Sequence, residues 1–281
     1  MKMRLLCSLV LGAAALPGLA PTTATAQTPD SLRAHYMIDL PPTLEILSTV
    51  GRTSPGTSSG SPTGFGANWG DGFVGASYQG RVRFSELNDG AVVAGIGLGN
   101  SRDLIGGEVA ITSFSTLRSD PFQVVSVSLK LHRAFLDNYG LAVGWESAFF
   151  LTSNEGDGGS SLYVAASKVW PQVWWQPFTK ITTTVGLGDG RFRSEEEVRV
   201  DKETVKPFGS IGVQLWEPMS FIADWTGQDL TLAMSIVPTQ RFPLVITPGV
   251  TDVTGTAGDG ARFIISAGTG FDFARLPRLF P

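Results

Sequence analysis

The sequence predicts an all-β fold, an antiparallel up-and-down transmembrane β-barrel of about 12 strands. Three observations predict it: an export signal at the start, later segments that alternate apolar with small or polar residues, and the regular spacing of those segments. Only 16% of the 281 residues are charged and 42% are hydrophobic, so a large apolar surface is available for burial or for contact with lipid.

Residues 1–26 are predicted to be a signal peptide. Lys2 and Arg4 give a positive start, an apolar run follows, and Ala24–Ala26 forms a small-x-small cleavage site. The apolar run is too short for a membrane span. Because the single cysteine, Cys7, lies inside this segment, we expect an exported mature protein without thiols.

Residues 27–60 are predicted to be a periplasmic lead and a flexible linker that precede a barrel over 61–281. Residues 27–50 show no steady alternation, and Pro41–Pro42 interrupts their helical spacing. Gly51–Gly60 is rich in glycine, serine and threonine, which is typical of a flexible linker. A plug, a periplasmic docking segment and a disordered lead remain alternatives for residues 27–50.

Val124–Arg133 shows the strand pattern most clearly, with valines and leucines on one face and Ser126, Ser128, Lys130 and His132 on the other. Each strand with its connection takes about 17 residues, which suits membrane-spanning strands of ~9–11 residues. Ten or fourteen strands are alternatives. If both termini are periplasmic, the odd-numbered connections are extracellular. The twelve predicted strands are 72–84, 91–98, 105–115, 123–133, 139–150, 162–170, 178–188, 205–216, 219–226, 229–236, 244–251 and 262–273.

The second face of these strands favours a membrane barrel over a soluble one. Its residues are mostly Gly, Ala, Ser and Thr, which suit a lumen where opposite walls share limited space. Aromatic residues cluster near strand ends, as in Trp170–Phe178, and this is typical of interfacial girdles. An apolar core in a soluble exported β-protein is the alternative explanation for these aromatic residues.

The alternation of side chains along each predicted strand places the charged residues on the inner face. An Arg or Lys on the opposite face, near the midplane of the membrane, would cost ~2–4 kcal/mol. Basic and acidic residues are balanced, which fits either a water-filled pathway or an ion-pair network that closes a narrow lumen. The predicted lumen-lining residues are Arg81, Arg83, Glu108, Lys130, His132, Glu146, Lys180, Asp224, Asp229, Arg262 and Asp272.

Composition argues against several function classes. A net charge of −4 and scarce Lys and Arg disfavour a nucleic-acid binder, and two His with one Cys disfavour a zinc site. Gly95–Gly99 and Gly186–Gly190 follow predicted strands without opening a helix, so they do not indicate nucleotide binding. No nucleophile motif accompanies His132. We therefore expect no metal, no cofactor and no enzyme, with a membrane-embedded lipid-modifying enzyme as the remaining catalytic alternative.

The last predicted strand resembles the terminal β-signal of outer-membrane proteins, which reads polar-x-Gly-x-x-aromatic-x-aromatic. Gly268, Phe271 and Phe273 occupy its positions, although the chain continues to Pro281 where the signal normally ends. The resemblance implies that the outer-membrane assembly machinery and outer-membrane lipid are partners.

Gly209–Phe273, about a quarter of the chain, is similar to YjbH-type and related outer-membrane barrels. The similar segments are Phe221–Ser235, Leu244–Thr247 and Gly260–Phe263. This resemblance implies a role near exopolysaccharide export. The predicted function is a porin-like channel or an export-associated barrel for hydrophilic solutes or polysaccharide. A structural barrel with a closed lumen is the alternative.

We predict that the protein fractionates with the outer membrane and migrates differently on gels before and after heating. Folded membrane barrels resist detergent until they are boiled, and the export signal with two-faced strands predicts such a barrel. Cell fractionation followed by unheated and heated electrophoresis checks both points. Recovery as a soluble periplasmic protein would contradict the prediction.

Overall fold

The computed structural model confirms the predicted architecture, a closed antiparallel barrel of twelve strands. Each strand pairs with its neighbours in sequence, and β1 pairs with β12 to close the wall. The structure describes residues 53–81, 87–114, 116–117, 122, 124–136, 138–152, 159–171, 180–200, 202–257 and 260–274.

All twelve strands lie where alternation predicts them, with ends shifted by a few residues. They are β1 Asp71–Gln79, β2 Asp89–Gly99, β3 Gly106–Phe114, β4 Val124–Phe135, β5 Tyr139–Phe150, β6 Ser161–Pro171, β7 Lys180–Gly188, β8 Lys206–Trp216, β9 Met219–Trp225, β10 Leu230–Ile236, β11 Val245–Thr251 and β12 Arg262–Asp272.

Two names describe the ends of the barrel. The terminal end is the one where β1 begins and β12 finishes, and the loop end is the opposite one. The connection between β6 and β7 lies at the terminal end, but residues 172–179 fall outside the described part of the chain. The girdle predicted for that aromatic segment therefore stays a prediction.

Helical structure in the described residues is confined to the connection between β7 and β8 at the loop end. A 3-10 turn, Gly190–Phe192, is followed by the short helix α1, Glu195–Arg199. The hydroxyl of Ser194, at 2.7 Å, and the ammonium of Lys206, at 3.0 Å, bind the Glu197 carboxylate and lower its pKa to about 2. Glu197 is therefore charged at neutral pH. No helix of the described residues is long and apolar enough to cross a membrane.

Successive side chains of a strand point to opposite faces of the wall, and the apolar set lies on the outer face. Leu131 on β4 is 60% exposed and Val185 on β7 is 67% exposed. Comparable leucine, isoleucine, valine and aromatic side chains are exposed around the wall, and a soluble monomer rarely presents such a continuous patch. A closed β-barrel with this outer face fits an outer-membrane location.

We predict that Leu129→Arg lowers the free energy of unfolding by ~2–4 kcal/mol in lipid vesicles. Leu129 lies midway along β4 on the outer face, whereas the next residue, Lys130, is 7% exposed on the inner face. Urea unfolding followed by gel shift measures the effect, with Leu129→Met as the control. Equal stability of the two variants would contradict contact of Leu129 with lipid.

Candidate functional site

The candidate site is the barrel interior together with the chain segment that crosses it, Thr53–Gly70, which we call the internal segment. Thr57 and Phe65 are each 2% exposed, and most of the residues between them are buried. Composition predicted a flexible linker up to Gly60, but residues 53–59 are buried or half-buried, and hydrogen bonds attach them to the inner face of the wall. A run of small residues suits close packing against a wall as well as it suits a linker.

The internal segment enters the barrel at the terminal end, beside β10. The backbone N–H of Thr53 donates to Oε1 of Gln240, in the connection between β10 and β11, at 2.9 Å. Three residues later, the N–H of Gly56 donates to Ser235 Oγ at 2.7 Å, and Ser220 Oγ donates to the Gly56 carbonyl. These contacts direct the segment along β9 and β10 toward the loop end.

Asp224 on β9 anchors the internal segment near the loop end. Its side chain is fully buried, and Oδ2 accepts hydrogen bonds from Ser58 Oγ and the backbone N–H of Ser59 at 2.7 Å each, Gly60 at 3.0 Å and Ser61 at 3.1 Å. Oδ1 accepts from Ser61 Oγ. Successive backbone N–H groups that converge on one oxygen form an anion-binding nest, and such charge-assisted bonds are strong.

Arg191 ties the loop end to the same part of the internal segment. Its Nη2 donates to Glu146 Oε1 at 2.9 Å and to the Gly60 carbonyl at 2.8 Å, and its Nε donates to the second oxygen of Glu146. The planar guanidinium can make these bonds at once because its donors form a rigid fork. A bulge in β5, with Ser147 at φ 48°, follows Glu146 in the chain.

The internal segment then returns toward the terminal end along β6 and β5. The N–H of Gly64 donates to Ser167 Oγ at 2.9 Å, and Phe65 packs against Val169. A Cβ added to Gly64 would lie 2.1 Å from the carbonyl oxygen of Gly140 on β5. This close approach of two backbones requires glycine in the internal segment.

Ala67 is the last anchored point before β1. Its N–H donates to Glu108 Oε2 at 3.0 Å, and its carbonyl lies 2.9 Å from His132 Nε2. A carbonyl only accepts hydrogen bonds, so Nε2 is the protonated nitrogen. No described serine hydroxyl lies within hydrogen-bond distance of the His132 ring, so the described residues do not assemble a serine–histidine pair.

The inner face is packed more tightly toward the terminal end than toward the loop end next to β1. Ala67 packs with Phe73, Val93 and Ala110 in one apolar cluster. Farther along the inner face of β1, Ser77 is exposed. Three more inward hydroxyl residues, Thr112, Ser128 and Ser266, are half-buried, and we call these three and Ser77 the vestibule.

Other predicted lumen residues lie on the inner face in smaller groups. Lys130 is buried opposite Glu108 in the β3–β4 ladder, and Lys180 is buried at the terminal end of β7. Arg262, 3% exposed at the loop end, pairs with Asp229 at 3.3 Å and with Asp252 at 3.7 Å.

The remaining predicted lumen residues lie at the ends of the barrel or outside the described part of the chain. Asp229 precedes β10 rather than belonging to it. Asp272 lies opposite Asp71 at the terminal end, and Arg81 lies beyond β1, where its Nη2 donates to the Gly260 carbonyl at 3.3 Å. Arg83 lies outside the described residues.

Sequence reasoning missed three contributors: the backbone N–H groups of 59–61, Arg191 and Asp252. Arg191 belongs to a charged connection that reads as a solvated loop, and its side chain enters the barrel only because the 3-10 turn directs it there. No sequence signal marks a backbone N–H as a ligand for a carboxylate far away in the chain.

The three residues of the predicted assembly signal lie at the seam of the barrel. Gly268 is paired with Gly75 on β1, and Phe271 with Gly72, where an added Cβ would lie 2.6 Å from the Phe271 ring. Phe273 contacts the ring of Trp69 edge-on at 5.5 Å. Their recognition by assembly machinery stays a prediction.

No protein-family model matches the chain, and no curated protein matches it. The described residues include no group of three or more His, Cys, Asp or Glu side chains that could hold a metal ion.

We predict that Asp224→Asn loosens the internal segment. Asparagine has one accepting oxygen and no negative charge, so the hydrogen bonds from the N–H groups of 59–61 lose their charge assistance, which costs about 2 kcal/mol, or roughly 30-fold in the opening equilibrium. A Thr57→Cys reporter, placed in a mature chain predicted to lack cysteine, then reacts roughly 30-fold faster with a maleimide.

Asp103→Asn is the control for this labelling experiment. Asp103 is an exposed carboxylate in the connection between β2 and β3, where its contact is with Asn100. Equal labelling rates of Thr57→Cys with and without Asp224→Asn would contradict the anchoring role.

Proposed function

We propose that this protein is an outer-membrane β-barrel that passes small hydrophilic solutes through a lumen closed by the internal segment. The observation that supports it best is the polar attachment of that segment. Asp224, Ser167 and Glu108 hold its backbone by hydrogen bonds at three places in the interior. A wholly apolar interior would favour a structural barrel instead.

The wall supports a movable segment because it is complete without it. Each strand from β1 to β12 has two strand neighbours, and none of them is supplied by residues 53–68. Each hydrogen bond between the segment and the wall contributes only about 0.5–1.5 kcal/mol net when water can replace it, somewhat more where a charge is involved. Displacement of the segment therefore leaves the barrel fold intact.

The substrate class follows from the lining of the vestibule. Its small hydroxyl side chains, Ser77, Thr112, Ser128 and Ser266, suit uncharged or weakly charged water-soluble molecules. The interior also has both signs of charge, with Lys130 opposite Glu108 and Arg191 on Glu146. Mixed charges favour no single ionic sign.

In this proposal the terminal end is periplasmic, and the loop end with the vestibule faces the outside. The predicted signal peptide supports export, and the predicted assembly signal at the β12 seam supports insertion by outer-membrane machinery. Export and insertion by this machinery both stay predictions. The role near exopolysaccharide export, which similarity to YjbH-type barrels implies, is also a prediction. A polymer would pass only after the internal segment had left the lumen.

A closed-lumen structural barrel is the second candidate, and the packing of the internal segment against the wall favours it. Gly64 and Gly140 approach so closely that neither position admits a Cβ without displacement, which shows tight packing of the segment against β5. Tight apolar contact of Phe65 with Val169 acts in the same direction. In this candidate the segment never leaves.

Conductance in planar bilayers distinguishes the two candidates. We expect the wild-type barrel to be mostly closed with rare openings, and Asp224→Asn to raise the open probability roughly 30-fold, in line with the loss of about 2 kcal/mol of anchoring. Asp103→Asn is the control and should match the wild type. Folding of every variant is verified by gel shift before recording.

Absence of conductance from folded wild type and folded Asp224→Asn alike would rule out the channel and support the structural candidate. Large, steady conductance of the wild type would contradict closure by the internal segment.

A further inference from the structure

The outer wall has two charged side chains among the described strands, and both are basic. Arg133 lies on β4 and Lys168 on β6, on either side of β5, and both point outward near the terminal end. The other outward positions of the described strands are apolar, glycine, proline, serine or threonine. Isolated cations toward lipid are unfavourable, so this pair needs a physical explanation.

Lys168 is held in place by aromatic rings. Its Nζ lies 3.5 Å from the ring centroid of Trp170 and 4.8 Å from that of Tyr139. Tyr139 stacks on Phe135 at 5.8 Å, and the indole N–H of Trp170 donates to Thr183 Oγ1 at 3.2 Å. The rings attract the ammonium group through cation–π contacts but do not neutralise its charge.

Arg133 lies close enough to act with Lys168 on one ligand. Arg133 is paired with Leu141, and Lys168 with Tyr139, so the two positions are two strands and two residues apart. Strand geometry places their Cα atoms about 12 Å apart, which two long basic side chains can bridge. No acidic side chain of the described residues forms an ion pair with either cation.

We propose that Arg133 and Lys168, with the rings of Tyr139 and Trp170, bind the phosphate of an anionic glycerophospholipid in the membrane leaflet at the terminal end. The site rests on the membrane location proposed above and does not depend on conduction. The phosphate supplies the missing negative charge. The acyl chains lie on the apolar wall toward the midplane, where Leu141 and Val164 are about half exposed.

The experiment measures the phospholipid that stays bound to the folded full-length barrel. The protein is reconstituted in phosphatidylcholine containing phosphatidylglycerol, extracted in mild detergent and examined by native mass spectrometry. Each Lys or Arg near an anionic lipid contributes about 1 kcal/mol. We therefore expect roughly 5-fold weaker retention of phosphatidylglycerol for Arg133→Gln or Lys168→Gln, and roughly 30-fold weaker for the double variant.

Two further variants control for charge and for folding. Arg241→Gln removes an exposed cation from the connection between β10 and β11, at the same end but off the wall, and should retain phosphatidylglycerol like the wild type. Tyr139→Leu keeps both charges but removes one ring, and should weaken retention about twofold. Phosphatidylcholine retention should stay equal in all variants.

Equal retention of phosphatidylglycerol by the wild type and the double variant would overturn the proposal. Displacement of the lipid by millimolar inorganic phosphate would also overturn it, because a free-anion site would then explain the cations. Failure of the wild type to insert into phosphatidylcholine vesicles would instead contradict the membrane location itself. Insertion with unchanged lipid preference would contradict the site alone.

Discussion

Backbone hydrogen bonding at the edges of the sheet is the constraint on which this structure depends. Lipid supplies no partners for N–H and C=O groups, so a strand-built wall must close on itself. The pairing of β12 with β1 over nine residue pairs provides that closure. The seam is built from small residues opposite each other, Gly75 with Gly268, and from Phe271 against Gly72, so that two strands distant in sequence can approach closely.

Closure of the wall creates an interior in which polar groups also need partners. Asp224 finds them in consecutive backbone N–H groups of the internal segment, while Glu108 and His132 bind the N–H and the C=O of one residue, Ala67. The interior is therefore satisfied by a piece of the same chain rather than by side-chain pairs alone. The reversible closure proposed above is compatible with this arrangement, because water can replace each of these partners.

The outer face of the wall is mostly apolar, and its two charged side chains lie close together. Arg133 and Lys168 share one end and one side of the barrel, beside the aromatic residues Tyr139 and Trp170. Aromatic and basic residues are favourable where hydrocarbon meets headgroups, since apolar and charged surroundings lie within one side-chain length. The terminal end of this wall thus has a chemically distinct outward-facing patch.

The sequence by itself determined the barrel, its twelve strands and the facing of residues such as Leu129 and Lys130. Period-2 alternation is a local property, and each strand records it without reference to any other. Only the tertiary structure decided what fills the lumen. The run before β1 reads as a linker because glycine and serine give the same composition to a flexible chain and to a close-packed one. Its anchoring contacts join residues 41 to 187 positions apart, as in Ala67 with Glu108 and Thr53 with Gln240, and no local pattern encodes such a pairing.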